Sequence, residues 1–387
     1  MSNLDVGAIM AGLAAPAETR RGLPNACYRD PETHLLEAHS LFARTWTCIG
    51  VGADIPEPGD VRPVELAGMP LVLVRDRTGA INGFHNVCSH RGVLLVTGPE
   101  RHRSSLRCPY HSWTYGLDGR LVRTPHAGGW NLDSCPALEK SALGLAPVRL
   151  EVWNDLIFAD LSGTAEPLST LLGPLDERWS GYEMSRLRHA ASWELELAAN
   201  WKLAIENYLE SYHLPWIHPN LTSRSPLENH HQVVVCDRVF GQVTSEFSAL
   251  SSGEMPFTPF PGLTPEQQRC GEYPLVFPNL LLGLQPDHFY AIIIDPLAAD
   301  RTRERIHLYL VGDRPDREDH DRAVERLVDT WKLVFAEDVG VVELMQSGRR
   351  SDAFAGGILT EAHDRLTHRF MVAVARALAS GAGTGGD

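Results

Sequence analysis

The sequence predicts an α+β protein in two parts: a small all-β domain inserted after an N-terminal helix, and a larger α+β domain behind it. Three observations predict this. Residues 32–46 carry apolar side chains at helical spacing, residues 46–161 change to short β-branched and aromatic runs broken by turns, and residues beyond 162 alternate between strand-like and helix-like texture. At 387 residues the chain is long enough for two domains that each bury a core.

The opening helix is read from ETHLLEAHSLFARTW, where Leu35, Leu36, Ala38, Leu41 and Phe42 fall near one face. The β texture follows in MPLVLVRD and RLEVWNDLIFAD, and Asp118-Gly119 within TYGLDGRLVR marks a hairpin. In the larger part, SWELELAA, HQVVVCDRVFGQVTSEF, HFYAIIIDPL and RIHLYLVGD read as strands, and helices are expected at 200–213 and 318–347. The boundaries are therefore 1–45 for the N-terminal segment and helix, 46–161, 162–378, and a disordered tail at 379–387. The tail spells GxGxxG from Gly381 to Gly386, but no strand precedes it and no helix follows, so it is no dinucleotide site.

Composition excludes several classes of function. The formal charge is −14 with no Lys/Arg block, which argues against nucleic acid or an anionic membrane as partner. The first residues place an acid before the apolar stretch and basic charge after it, the reverse of an export signal. No apolar run approaches eighteen residues. A cytoplasmic protein is expected. The seven cysteines form no disulfide framework, and the two with nearby histidines suggest metal.

Those two lie in Cys88-Ser89-His90 and Cys108-Pro109-Tyr110-His111. Each pair offers one thiolate and one imidazole. Zinc also accepts two Cys and two His, but zinc fingers group their cysteines first. Mixed pairs suit a two-iron cluster with both thiolates on one iron and both imidazoles on the other.

A second constellation lies in NWKLAIENYLESYHLPWIHPNL. Glu206, Glu210 and His213 stand at helical spacing, and His218 follows His213 by five residues, about 140° away on an ideal helix. Pro215 between them should break the helix and let His218 swing back. These could be two ordinary histidines, and a carboxylate would complete an iron-type site of two His and one acid. Asp338 is the candidate, because it interrupts the apolar stripe of Val324, Leu327, Val328, Trp331, Phe335, Val342 and Met345. By the helical period Glu337 turns away from that stripe and Glu343 sits to its side. A lone acid on a buried face is costly unless paired or bound to metal, so an Arg-paired Asp338 is the alternative.

The words NVCSHRG, CPYHSWTYGLDG, ENYLESYHLPWIH and AEDVGVVELMQSGRR resemble the Rieske non-haem iron oxygenases, the large (alpha) subunits of ring-hydroxylating oxygenases, over roughly residues 32–372. The resemblance implies an all-β Rieske 2Fe-2S domain and an α+β catalytic domain with an antiparallel sheet and flanking helices, against which the N-terminal segment packs. It implies one 2Fe-2S cluster on Cys88, His90, Cys108 and His111 and one mononuclear Fe(II) on His213, His218 and Asp338. Glu210 becomes the acidic bridge to the cluster of a neighbouring chain in a homotrimer, accepting hydrogen bonds from His213 and from that chain's His111. Asn207 and Tyr212 match positions that line or support the site. NAD(P)H enters only through a separate ferredoxin or flavin reductase, since no dinucleotide fingerprint is present.

The implied reaction is oxygenation of a small organic substrate with O2. An aromatic compound is the first expectation, and hydroxylation or demethylation of a quaternary ammonium compound the alternative. The latter needs an aromatic cage, for which Trp216, Phe247, Phe257, Phe260 and Phe277 are the candidates. An electron carrier with a purely structural second domain is the reading from another class.

Overall fold

The computed structural model describes residues 4–247, 257–312 and 320–382. They form two compact units, one of Phe42–Ala165 and the other of the chain before and after it. The chain starts with α1 (Val6–Leu13), α2 (Ala26–Arg29) and α3 (Pro31–Glu37). Asp30 caps α3 by accepting the Glu32 N–H at 2.9 Å, and Pro31 takes a position where no N–H is needed. The expected single helix is shorter than its pattern, because α3 passes into a π turn at Ala38–Phe42. The wider turn shifts the helical face, so Leu41 and Phe42 are buried while Leu35 is 58% exposed.

The unit of Phe42–Ala165 is all-β. Its strands are β1 (Thr47–Val51), β2 (Val61–Leu66), β3 (Met69–Arg75), β4 (Ile81–His85), β5 (Leu106–Arg107), β6 (Thr114–Tyr115), β7 (Leu121–Arg123), β8 (Pro147–Trp153) and β9 (Leu156–Asp160). A six-stranded sheet runs β1-β9-β8-β4-β3-β2, and β5-β6-β7 form a smaller sheet. The Asp118-Gly119 turn joins β6 to β7 as expected. Gly119 has φ +79°, and a Cβ there would lie 2.5 Å from the Phe84 ring, so only glycine fits. Val72, Val74, Phe84, Trp113 and Tyr115 pack one core around the buried thiols of Cys88 and Cys108.

The second unit is built on a seven-stranded antiparallel sheet in the order β10-β16-β15-β14-β13-β12-β11. Its strands are β10 (Leu187–Leu197), β11 (His230–Cys236), β12 (Val239–Thr244), β13 (Gly271–Val276), β14 (Leu280–Leu284), β15 (His288–Ala298) and β16 (Arg301–Val311). Phe289–Ile294 in central β15 is buried throughout, as expected for a strand covered on both faces. The helices are α4 (Leu168–Arg178), α5 (Trp201–Tyr208), α6 (Leu214–Ile217), α7 (Pro219–Thr222), α8 (His320–Gly348) and α9 (Arg365–Ala382). The helix expected at 200–213 ends at Tyr208. Gln242 on β12 donates to the Leu209 carbonyl at 2.7 Å, satisfying one of the acceptors a helix end leaves open.

Helix α9 continues to Ala382, past the boundary expected for a tail at 379, because Leu378 is fully buried and holds the last turns. Residues 383–387, the rest of that tail, lie outside the described residues. A buried pair ties α3 to α5: Lys202 Nζ reaches Glu37 Oε1 at 2.6 Å, and Trp201 Nε1 donates to Glu37 Oε2 at 2.8 Å. Among the described residues, no helix is long and apolar enough to cross a membrane.

Candidate functional site

In the all-β unit, two loops of the same design carry the four candidate cluster ligands. The Cys88 carbonyl accepts from the Gly92 N–H at 3.0 Å, and the Cys108 carbonyl accepts from the Ser112 N–H at 3.1 Å. Gly92 and Ser112 both have positive φ, which turns each loop back on itself. The loops bring the imidazoles of His90 and His111 to 4.8 Å between ring centroids, with Trp113 stacked on His90 at 4.7 Å.

Burial pushes the Cys108 thiol pKa up and the neighbouring Cys88 thiol adds to the push, while the Tyr110 and His111 backbone N–H groups pull it down. Those N–H groups would favour a thiolate once a cation is present. The Tyr115 hydroxyl lies 3.2 Å from Cys88 Sγ and accepts the Ser89 N–H at 3.0 Å. Burial, then Cys88, hold that phenol at about 12, so it remains a donor.

His111 Nδ1 is buried without a hydrogen-bond partner. A buried imidazole nitrogen left without a hydrogen-bond partner suits a metal ligand. Among the described residues, only His213, His218 and Asp338 converge tightly enough for a single ion. The mixed Cys–His pairs on these two loops are the donor set that a two-iron cluster takes, both thiolates on one iron and both imidazoles on the other.

In the second unit, the donor atoms of His213, His218 and Asp338 lie within 4.8 Å of one another. His213 ends the turn after α5 and His218 ends α6. Pro215 sits in the first turn of α6, where a proline costs nothing, so the break it was expected to impose is here the start of a new short helix. Each imidazole is held from behind by a carboxylate. His213 Nδ1 is 2.6 Å from Glu210 Oε1, and its backbone N–H donates to Glu210 Oε2 at 3.1 Å. His218 Nδ1 is 2.7 Å from Glu337 Oε2.

The two Nε2 atoms then face Asp338 Oδ1 at 3.6 and 3.0 Å. With Nδ1 carrying the proton toward glutamate, both Nε2 lone pairs are free for a cation. Burial opposes charge on His218, but the hydrogen bond and charge of Asp338, then of Glu337, outweigh it and raise its pKa.

Three expectations change. Glu337 does not turn away, because α8 passes close enough to His218 for consecutive acids to take its two ring nitrogens. Glu206 does not share a face with Glu210 and His213: it is buried, accepts from Tyr28 Oη at 2.5 Å and lies 3.8 Å from Arg349. Tyr212 is 53% exposed and stacks on His363 at 4.2 Å, because the chain has already left the helix that would have turned it inward. Asn207 does line the pocket beside Glu210.

That pocket has a volume of about 90 Å³ and reaches the three converging donors. Its aromatic walls are Tyr208, Tyr273, Tyr290, Trp331 and Phe335. None of the five candidate cage residues is among them. Trp216 is 75% exposed, Phe247 is buried elsewhere, and Phe257, Phe260 and Phe277 pack edge-on against His320, Tyr182 and Phe370. Trp331, Phe335 and Asp338 share one face of α8 at i, i+4 and i+7, a signal present in the sequence. Tyr273 and Tyr290 come from strands and had no local signal. Tyr290 lies so close over Gly283 that a Cβ there would meet its ring at 2.1 Å. Beneath the site, burial and then the Asp338 charge push Glu304 up to about 8. A second cavity of about 460 Å³ shares Ser211, His230 and Gln242 with the pocket, and Glu228 and Glu361 line it.

Comparison with known proteins follows the same division. Residues 184–380 match the model for the ring hydroxylating alpha subunit (catalytic domain), and residues 45–137 match the Rieske [2Fe-2S] domain. The glycine betaine monooxygenase oxygenase subunit of Chromohalobacter salexigens is 37% identical over 199 residues, a match covering 51% of this chain and 43% of that protein. The carnitine monooxygenase oxygenase subunit of Acinetobacter pittii is 26% identical over 338 residues, 86% of each. Among solved structures, the quaternary ammonium Rieske monooxygenase CntA superposes with a TM-score of 0.79 at 23% identity, over 97% of this chain and 99% of that one. Naphthalene 1,2-dioxygenase from Rhodococcus sp. superposes with 0.78 at 22%, over 99% of each. These two likenesses show a common fold and do not choose a substrate.

Proposed function

The chain belongs to the family of ring-hydroxylating oxygenase alpha subunits with a Rieske [2Fe-2S] domain, and from that premise we propose that it is the oxygenase component of a monooxygenase for a small quaternary ammonium compound. The observation that carries the substrate class is the aromatic pocket of about 90 Å³ beside the His213, His218 and Asp338 donors. Aromatic faces attract a cation that has no N–H to donate, and they do so best where water is excluded. The two relatives named above are, by their names, oxygenases of glycine betaine and of carnitine.

His213, His218 and Asp338 would hold Fe(II) and leave open positions beside the pocket, while Cys88, His90, Cys108 and His111 would hold the cluster. When bound, the iron activates O2 and the cluster passes it electrons that come from a separate reductase. The protein's own part is placement. Glu210 and Glu337 fix the two imidazoles with Nε2 forward, and Asn207 lies on the pocket side of Glu210. Tyr208, Tyr273, Tyr290, Trp331 and Phe335 would wall an N-methyl group beside the metal position.

Glu210 would also accept a hydrogen bond from His111 of the partner subunit in a homotrimer, coupling cluster and iron across chains. Its His213 bond is already made, and a second carboxylate lone pair remains for that donor. A cytoplasmic location belongs to the same reading, supported by seven free cysteines.

The test is a panel of betaines, choline, carnitine and small aromatic acids with a reconstituted reductase, scoring product formed per O2 consumed. Coupled oxidation of a quaternary ammonium compound is the expected result. Coupled turnover confined to the aromatic compounds would overturn the proposal.

A further inference from the structure

The tight turn between β14 and β15, closed by the Gln285 N–H donating to the His288 carbonyl at 2.9 Å, carries a buried chain of polar groups that ends on the substrate pocket. Trp331 Nε1 donates to His288 Nε2 at 3.0 Å, and His288 Nδ1 lies 2.6 Å from Asp287 Oδ1. The direction of every bond follows from chemistry. An indole nitrogen can only donate, so His288 Nε2 is the acceptor and its proton sits on Nδ1. That proton must then be donated to the Asp287 carboxylate. Asp287, His288 and Trp331 are 6%, 3% and 2% exposed.

A carboxylate so deeply buried is normally matched by Lys or Arg. Among the described residues Asp287 has only the neutral His288. An apolar residue at 288 would pack against Trp331 without burying a charge, so stability alone does not account for the pair. Among the described residues no Lys or Arg pairs with Asp287, and a cationic ligand in the pocket would supply the missing charge.

We propose that Asp287, His288 and Trp331 form a charge chain that makes the pocket selective for cations: the carboxylate, through two aligned hydrogen bonds, places negative potential behind the indole wall. The reading rests on the quaternary ammonium pocket described above. Hydrogen bonds in series polarise one another, so donation of the indole N–H enriches the π system of the ring that lines the pocket. The same bond consumes the N–H, leaving the ring itself as Trp331's contribution. Asp287 and His288 are positioning residues, since both act through Trp331.

The experiment measures anaerobic binding of two probes to the iron-loaded holoenzyme: choline, and 3,3-dimethyl-1-butanol, which has the same shape without the charge. The wild type should bind choline about tenfold or more tightly than the alcohol, and Asp287→Asn should cut that preference by about fivefold while leaving the alcohol's affinity unchanged. Trp331→Phe keeps an aromatic wall but breaks the chain from its other end, and should lose the preference as well. It decides the question if Asp287→Asn fails to fold. An unchanged preference in the variants overturns the charge chain alone, as does an equal loss for both probes, which is what mere structural damage would give. A wild type with no preference overturns the chain together with the substrate class.

Discussion

Glu337 and Asp338 are consecutive on α8, yet both bear on His218, one on each ring nitrogen. Adjacent helical residues point about 100° apart, so the imidazole must lie in the angle between them. This explains how a buried histidine is kept in one tautomer beside a metal position. Removing such an outer carboxylate ordinarily costs about 10- to 100-fold in metal affinity. Glu337→Gln should therefore lose the mononuclear iron to a chelator at correspondingly lower concentration, with the Rieske spectrum unchanged. Equal retention of iron would mean that Glu337 does not orient the ligand. The candidate ligands His213, His218 and Asp338 were visible in the sequence as residue types at suggestive spacing, and the family resemblance joined them into one set. Glu337 was not, because a helical wheel knows only its own helix and not where a neighbouring ring will stand.

At the level of elements, α5 separates two carboxylates with different fates. Glu210, just beyond its end, meets His213, while Glu206 is buried against Tyr28 and Arg349. Burial pushes Glu206 from 4.5 to about 7 although Arg349 and the Tyr28 hydroxyl pull the other way. An acid with a raised folded-state pKa contributes stability that is full below its unfolded pKa, and the contribution is lost as pH rises through the folded value. Relative to wild type, Glu206→Gln should thus gain stability between pH 5 and pH 8, by up to about 3 kcal/mol. Urea unfolding of both proteins at the two pH values checks it, and a gain in the opposite direction would mean that Glu206 is ionised in the fold.

Elements were legible unevenly for physical reasons. The long runs of β15 and β16 announce themselves by composition, and the Asp118-Gly119 hairpin by its turn. Strands β13 and β14 are short, with Pro274 inside one and Pro278 before the other, and were not foreseen. The period of α9 was present in Leu366, Phe370, Val374 and Leu378, but its glycine-rich end suggested disorder. The end of α5 at Tyr208 depends on Gln242, which only the folded sheet brings near. The pocket walls were hidden for the same reason, since Tyr273 and Tyr290 reach the site through strand pairing.

For the whole molecule, the account requires an electron path from a cluster held by Cys88, His90, Cys108 and His111 to an iron held by His213, His218 and Asp338, with Glu210 joining neighbouring chains. Mixed assemblies test that path. His111→Ala and Asp338→Ala chains should each be inactive alone, and should regain activity when co-assembled, because an intact cluster then stands beside an intact iron site. No recovery on mixing would place the transfer within one chain. Beneath this lies the central claim that one chain carries two separate iron centres. Its most direct test is iron per chain in the wild type and in Asp338→Ala, read with the Rieske spectrum. The account predicts about three irons falling to about two, with the spectrum unchanged, from one cluster and one mononuclear site. About two irons in the wild type, or a variant that keeps all of its iron, would contradict it.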